Sequence, residues 1–203
     1  MKRILYTFVL LLSSLSLSAT GNTKPSFVYD LDFEMRFDNR EFATSCFTPS
    51  MTIFGARLTP QVGLALTEKN GARHRIMAGI DVMKDFGSGK DLDLFQEIQV
   101  YYNLRKKINK TDMEIYAGIF PRKASEGTYS QAFFSDSLRF YDNNLEGLLV
   151  KFRLPKSYFE IGCDWMGQIG QTERERFMIY SSGEGKVTDF LTFGYSGYVY
   201  HFA

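Results

Sequence analysis

The chain is short of the residues on which metal sites, disulfide frameworks and membrane helices are built. Its 203 residues include 2 His, 2 Cys, 1 Trp and 5 Pro. The histidines, His74 and His201, each stand near a predicted strand end with no Cys or His cluster close by in sequence, so a metal site is not expected. Two cysteines cannot make a disulfide framework. Cys46, in a loop, and Cys163, between Ile161 and Trp165 on an apolar strand face, read as isolated residues. The net charge is +1, which gives no reason to expect a nucleic-acid partner. Beyond the N-terminus there is no run of about 18 apolar residues, so no transmembrane helix is expected. No helical period or heptad recurs. "DFGSGKD" (85–91) and "GEGK" (183–186) lack the spaced first glycine and the Ser/Thr after Lys of a phosphate loop. No spacing joins His201 to a Ser and an acid as a hydrolytic triad, although such triads are recognised by geometry rather than order. These absences point to a protein that is not an enzyme and carries no cofactor.

What is present is export and alternation. "MKRILYTFVLLLSSLSLSATG" has Lys2 and Arg3, a short apolar core from Ile4 to Leu12, and small residues at Ser16, Ser18 and Ala19. This is the pattern of a cleaved signal peptide over residues 1–19. The rest, 27–203, is expected to be one β domain. In "VYDLDFEMRFDNREF" (28–42) Tyr29, Leu31, Phe33, Met35 and Phe37 alternate with Asp30, Asp32, Glu34 and Arg36. Period two puts the two sets on opposite faces of a strand. The same alternation predicts strands near 27–42, 51–67, 73–85, 91–105, 111–122, 144–154, 156–168, 173–182 and 189–202. They are joined alternately by short turns (68–72, 105–111, 154–156, 181–187) and longer connectors (43–50, 85–90, 123–143, 168–174).

The glycines indicate which face points inward. Gly55, Gly63, Gly79, Gly118, Gly147 and Gly162 all fall on the polar faces. Mid-strand glycine weakens a solvated face, but it relieves crowding inside a closed barrel whose aliphatic side chains point out into lipid. Closure is required there, because an open sheet edge in hydrocarbon leaves backbone groups unpaired. The expected fold is therefore all-β, an antiparallel up-and-down transmembrane β-barrel of about 8–10 strands. Nine strands conflict with the even count of single-chain bacterial barrels. Either 133–141 is a further strand, or one strand is split wrongly, or the chain is part of a larger barrel. A secreted soluble barrel or sandwich, with the apolar face inward, is the competing fold.

The last residues, "GYSGYVYHFA", resemble the C-terminal assembly signal of Gram-negative outer-membrane barrels. Phe202, Tyr200 and Gly197 take the places of its two aromatics and its glycine, and Ala203 stands one residue beyond the usual terminal aromatic. "EIYAGIFPR" (114–122) and "DSLRFYDNNLEGLLVKFR" (136–153) resemble porin-type proteins of that membrane. The resemblance implies an outer-membrane location, lipid and the barrel-assembly machinery as partners, and passive diffusion of small hydrophilic solutes; a homo-oligomer is left open. The wall charges expected to line the pore are Arg57, Arg75, Asp81, Glu97, Glu114, Lys151, Glu160 and Asp164. The connector 123–143 is expected to fold into the lumen or cap it, with Arg122, Asp136, Arg139 and Asp142 at a constriction. The alternatives are a non-conducting structural or adhesion barrel and a secreted soluble binding protein.

Overall fold

The computed structural model describes residues 24–42, 46–47, 49–87, 94–170 and 174–202. The signal peptide and parts of three of the longer connectors lie outside these residues. Nine strands follow in order: β1 (Ser26–Arg40), β2 (Met51–Thr67), β3 (Arg73–Asp85), β4 (Phe95–Ile108), β5 (Thr111–Pro121), β6 (Asn144–Leu154), β7 (Ser157–Gly167), β8 (Arg176–Lys186) and β9 (Thr192–Phe202). They form one antiparallel sheet in which sequence neighbours are also spatial neighbours. Local turn chemistry closes the hairpins on one rim. Between β2 and β3, Asn70 Oδ1 accepts from the Ala72 amide at 2.8 Å and Gly71 takes φ 81°. Between β4 and β5, Asn109 takes φ 56° in a turn bracketed by the Ile108–Thr111 pair, a left-handed position that asparagine tolerates.

The apolar faces point outward, as the glycines indicate. Phe33, Leu64 and Ile161 are 64, 57 and 40% exposed, whereas Arg57, Gln99 and Glu160 on the opposite faces are at most 2% exposed. This exposes the apolar strand faces that a water-soluble barrel or sandwich would bury. Gly162 shows why small residues are needed on the inner face. A Cβ there would lie 2.3 Å from Cζ of Tyr180, whose ring crosses the glycine. Gly162→Val is expected to destabilise the fold by about 1–3 kcal/mol through overpacking. The check is a lower urea midpoint for the detergent-solubilised protein, followed by fluorescence of Trp165, the only tryptophan.

Three expectations need correction. Residues 133–141 are not a strand: Asp136–Tyr141 form a short helix, α1, capped by Ser135 Oγ accepting from the Leu138 amide at 3.0 Å. The predicted turn at 181–187 is mostly strand, because β8 stays paired with β9 from Arg176 to Lys186. Nor do the described strands close. β1 pairs only with β2, and β9 only with β8. Nine consecutive antiparallel strands leave β1 and β9 running in the same direction, so antiparallel pairing does not join them. All eleven residues of β9 are exposed.

Residues 122–143, between β5 and β6, fold back into the concave face of the sheet. They comprise a 3-10 turn (Arg122–Ala124), an extended stretch and α1. Tyr129, Phe134 and Phe140 of this connector are buried. Tyr129 and Phe134 share one apolar cluster with Met77, Tyr101, Tyr116, Phe120, Leu145, Leu149, Met178 and Tyr180. The hydrophobic core is thus built inside the concavity, between strand wall and connector.

Candidate functional site

The charges predicted to line a pore are engaged with the connector, with one another and, for Arg75 and Glu97, with the strand residues Asn103 and Asn144. Arg57 is ion-paired with Asp81 and donates to the Phe140 carbonyl at the end of α1. Thr59 Oγ1 donates to the other Asp81 oxygen at 3.1 Å. Glu160 accepts from the amides of Glu126 and Gly127 at 3.0 and 2.9 Å and from the Tyr129 hydroxyl. Lys151 donates to the Ala124 carbonyl and to Glu126, each at 2.9 Å, and pairs with Glu114 at 3.1 Å. Glu97 accepts from Asn144 at 2.6 Å, and Arg75 makes a two-pronged contact to Asn103 at 2.9 and 2.7 Å. Asp164 accepts from Arg122 at 3.0 Å and from the Glu146 amide at 3.2 Å.

Of the four predicted constriction residues, Arg122 sits deepest. It also donates to the Asp142 carbonyl (2.8 Å), the Asp142 carboxylate (2.9 Å) and the Asn144 carbonyl (2.8 Å). Arg122 is thereby the clamp that fixes both ends of the connector. Sequence reasoning placed these charges on the inner face, but it could not show that the connector would consume their hydrogen bonds. The partners it missed are the amides of Glu126 and Gly127, the carbonyls of Ala124 and Phe140 and the Tyr129 hydroxyl, none of which stands out in sequence.

Asp136 and Arg139 lie elsewhere, in an open groove of about 720 Å³ between the inner face of β1 and α1. Its floor combines Arg36, Asp38 and Arg40 with Ser135, Ser137, Arg139 and Asn143. Arg36 and Arg40 both donate to Asp38 Oδ2, at 3.2 and 2.6 Å, and to Ser137 Oγ, at 3.0 and 3.3 Å. The groove opens at the rim of the long connectors, where β1 ends. The sequence signals for it were the polar face of the "MRFDNR" segment and the connector charges Asp136 and Arg139. A second cavity of about 600 Å³, with Arg73, Lys107 and Arg153 in its wall, lies at the opposite, short-turn rim.

The two imidazoles occupy different rims. His74, at the short-turn rim, is held between the Tyr102 hydroxyl (2.6 Å) and Glu68 (3.1 Å). His201, at the long-connector end of β9, lies opposite Phe177 in register. Its ring stacks on Phe177 at 4.6 Å, and Phe177 stacks on Trp165 at 5.2 Å. The stack is on the outward face, in line with the exposed Ile179. Among the described residues, no group of three or more His, Cys, Asp or Glu side chains is placed to hold a metal ion. Cys46 and Cys163 are free thiols.

An antiparallel sheet with an apolar exterior, a polar clamp inside and a connector packed in its concavity defines an all-β protein whose outer surface is apolar. A family model, lipid A 3'-O-deacylase-type, matches residues 23–201, and the chain belongs to that family. No curated protein and no solved structure matches the chain significantly. The family is one of outer-membrane proteins that modify lipid A, and it overturns three expectations. The chain is not a porin-family protein, passive solute diffusion is not its function, and the expectation of a non-enzyme gives way to membership of an enzyme family. The structural and soluble-binding alternatives fall with them. The physical counterpart is the packed interior: a concavity filled by Phe134, Phe140 and the Arg122 clamp is not a water-filled pore. The porin resemblance arose because every lipid-facing β wall needs the same alternation, whatever its lumen does.

Proposed function

We propose that the chain resides in the outer membrane with its apolar strand faces in lipid and removes an ester-linked acyl chain from lipid A. The observation that carries this is the family match across the whole sheet, residues 23–201. The exposed apolar exterior supports it, because that exterior suits hydrocarbon and not water. In this setting the long-connector rim faces outward from the cell and the short-turn rim faces the periplasm, as in outer-membrane barrels generally. His201 then lies at the depth of the outer leaflet and faces lipid, whereas His74 lies at the other interface. Water attacking the ester carbonyl needs a base to take its proton; the acyl C–O bond then breaks, the chain leaves as a carboxylate and the proton passes to the departing sugar oxygen, and imidazole suits that proton transfer near neutral pH. His201 is the imidazole on the correct face and at the correct depth, and we assign it the role of general base.

The test is mass spectrometry of lipid A from outer membranes that carry the chain. Loss of one acyl chain, dependent on expression of the folded protein, is the expected result. Unchanged lipid A in the presence of folded, inserted protein would refute the assignment.

A further inference from the structure

The net charge of +1 hides an uneven distribution along the strands. Lys69, Arg73, Lys106, Lys107, Lys110 and Lys156 stand at the short-turn rim, and none has an ion-pair partner among the described residues. Their neighbours Arg105, Lys151, Arg153 and Lys186 are paired, with Glu114, Glu126 or Asp189. The carboxylates left over there, Asp112 and Glu184, do not balance the unpaired cations. Across the sheet, Arg73 even lies opposite Arg105 in register, a like-charge pair that opposes folding unless an anion joins it. At the other rim the exposed carboxylates Glu41, Asp136, Asp142 and Glu146 stand among the arginines, so the positive excess belongs to the short-turn side.

The surroundings of these cations separate a lipid from a soluble anion. Arg73, Lys106, Lys107 and Lys156 line the cavity of about 600 Å³ at this rim, and Met113, Phe152, Leu154 and Phe159 line it with them. The apolar set belongs to the outward strand faces. Leu154 and Phe159 are 43 and 38% exposed, and the rings of Phe152 and Phe159 stack with centroids 6.3 Å apart. Lys106 follows Tyr102 and Leu104 on the outward side of β4, and Lys156 follows Leu154 in the turn after β6. Each lysine thus stands where the apolar wall ends. Its stem suits apolar surface while its charge reaches headgroup depth. A soluble anion would use the cations alone. A lipid with a negative headgroup uses both halves, and cations at a membrane surface attract such lipids.

We propose that the short-turn rim binds an anionic phospholipid of the inner leaflet, its phosphate among Arg73, Lys106, Lys107 and Lys156 and its acyl chains against Phe152, Leu154 and Phe159. The proposal rests on the membrane setting given above and not on the reaction. The lipid is a companion of the wall rather than a substrate, because His201 lies at the opposite rim.

The experiment is native mass spectrometry of the full chain released from detergent micelles, with dioleoyl phosphatidylglycerol or dioleoyl phosphatidylcholine added. Wild type is expected to retain phosphatidylglycerol at least about tenfold more strongly. Lys106→Gln/Lys156→Gln and Arg73→Gln/Lys107→Gln are each expected to remove most of that preference. These side chains have no ion pair to lose, and heat-modifiable gel migration reports whether each variant is folded. Should a variant fail to fold, salt of about 0.5 M added to wild type is expected to weaken the preference in its place. Lys84→Gln, at the long-connector end of β3, is expected to change nothing. Equal retention of the two lipids by wild type would overturn the proposal. Displacement of the lipid by an equal concentration of glycerol 3-phosphate would show a soluble-anion site and overturn the lipid assignment. An unaltered preference in both folded double variants would overturn the site. Phosphatidylglycerol preference with unchanged lipid A would uphold the rim and count only against the deacylase reading. Acyl release without that preference would do the reverse.

Discussion

His201→Ala is expected to reduce acyl release from lipid A by about 10²–10⁴-fold, the usual worth of a positioned general base. His74→Ala is expected to leave the rate near that of wild type, because its imidazole sits at the periplasmic rim between Glu68 and Tyr102. The contrast between two histidines of one chain is the informative part. A fold defect would lower both activity and insertion, so the folded fraction is measured on the same preparations by heat-modifiable gel migration. His201 lies on an exposed edge strand, stacked on Phe177 with one face, and its removal empties no core. Stability is therefore expected to stay close to wild type while catalysis falls. Full activity in His201→Ala would exclude an imidazole at this position from the chemistry. The same loss in His74→Ala would move the site to the other rim.

The second large effect concerns stability. Arg122 is 1% exposed and binds two carboxylates and two carbonyls that belong to the connector and to β6 and β7. Arg122→Ala leaves Asp164, itself 3% exposed, as a buried charge without a cation. The expected cost is about 3–5 kcal/mol, the range for removing one partner of a buried pair. The double change Arg122→Met/Asp164→Leu removes both charges and is expected to recover part of that loss. Urea titrations of the detergent-solubilised variants measure both. A shift below about 1 kcal/mol in Arg122→Ala would show that the pair behaves as a solvated one and that the connector is held by its apolar residues instead.

The strands were legible in sequence because their signal is local. Tyr29 to Phe37 alternate in steps of two, and the alternation persists wherever one face meets something apolar and the other something polar. β2, β3 and β6 occupy the ranges their patterns predict, 51–67, 73–85 and 144–154. The misread turn at 181–187 came from Gly183 and Gly185, which look like turn residues but pair within β8 and β9. The helix at 136–141 was hidden by "DSLRFY", a segment too short to show a helical period; its start is marked by a single cap, Ser135. The direction of the apolar faces was also readable, from glycines such as Gly118. Its φ is 118°, and a Cβ at this position would lie 2.3 Å from the Val100 carbonyl oxygen, so a larger residue is excluded.

Function was not legible in the same way. Alternation reports the solvent on each face, and that solvent is lipid for a channel and for a lipid-modifying enzyme alike. What distinguishes them is whether the lumen is full, and this depends on pairings between residues far apart in the chain. Arg57 meets Phe140, Glu160 meets Gly127, and Arg36 meets Ser137.

The strands, their two faces and the gathering of charge on the concave side were thus written in the order of the residues, because periodicity is a property of neighbours. Two further outcomes emerged only once the chain was folded: the concavity is plugged, and Arg122 clamps the plug. They depend on which distant groups reach which hydrogen-bond partners, and hydrogen bonds between elements leave no periodic trace in the chain.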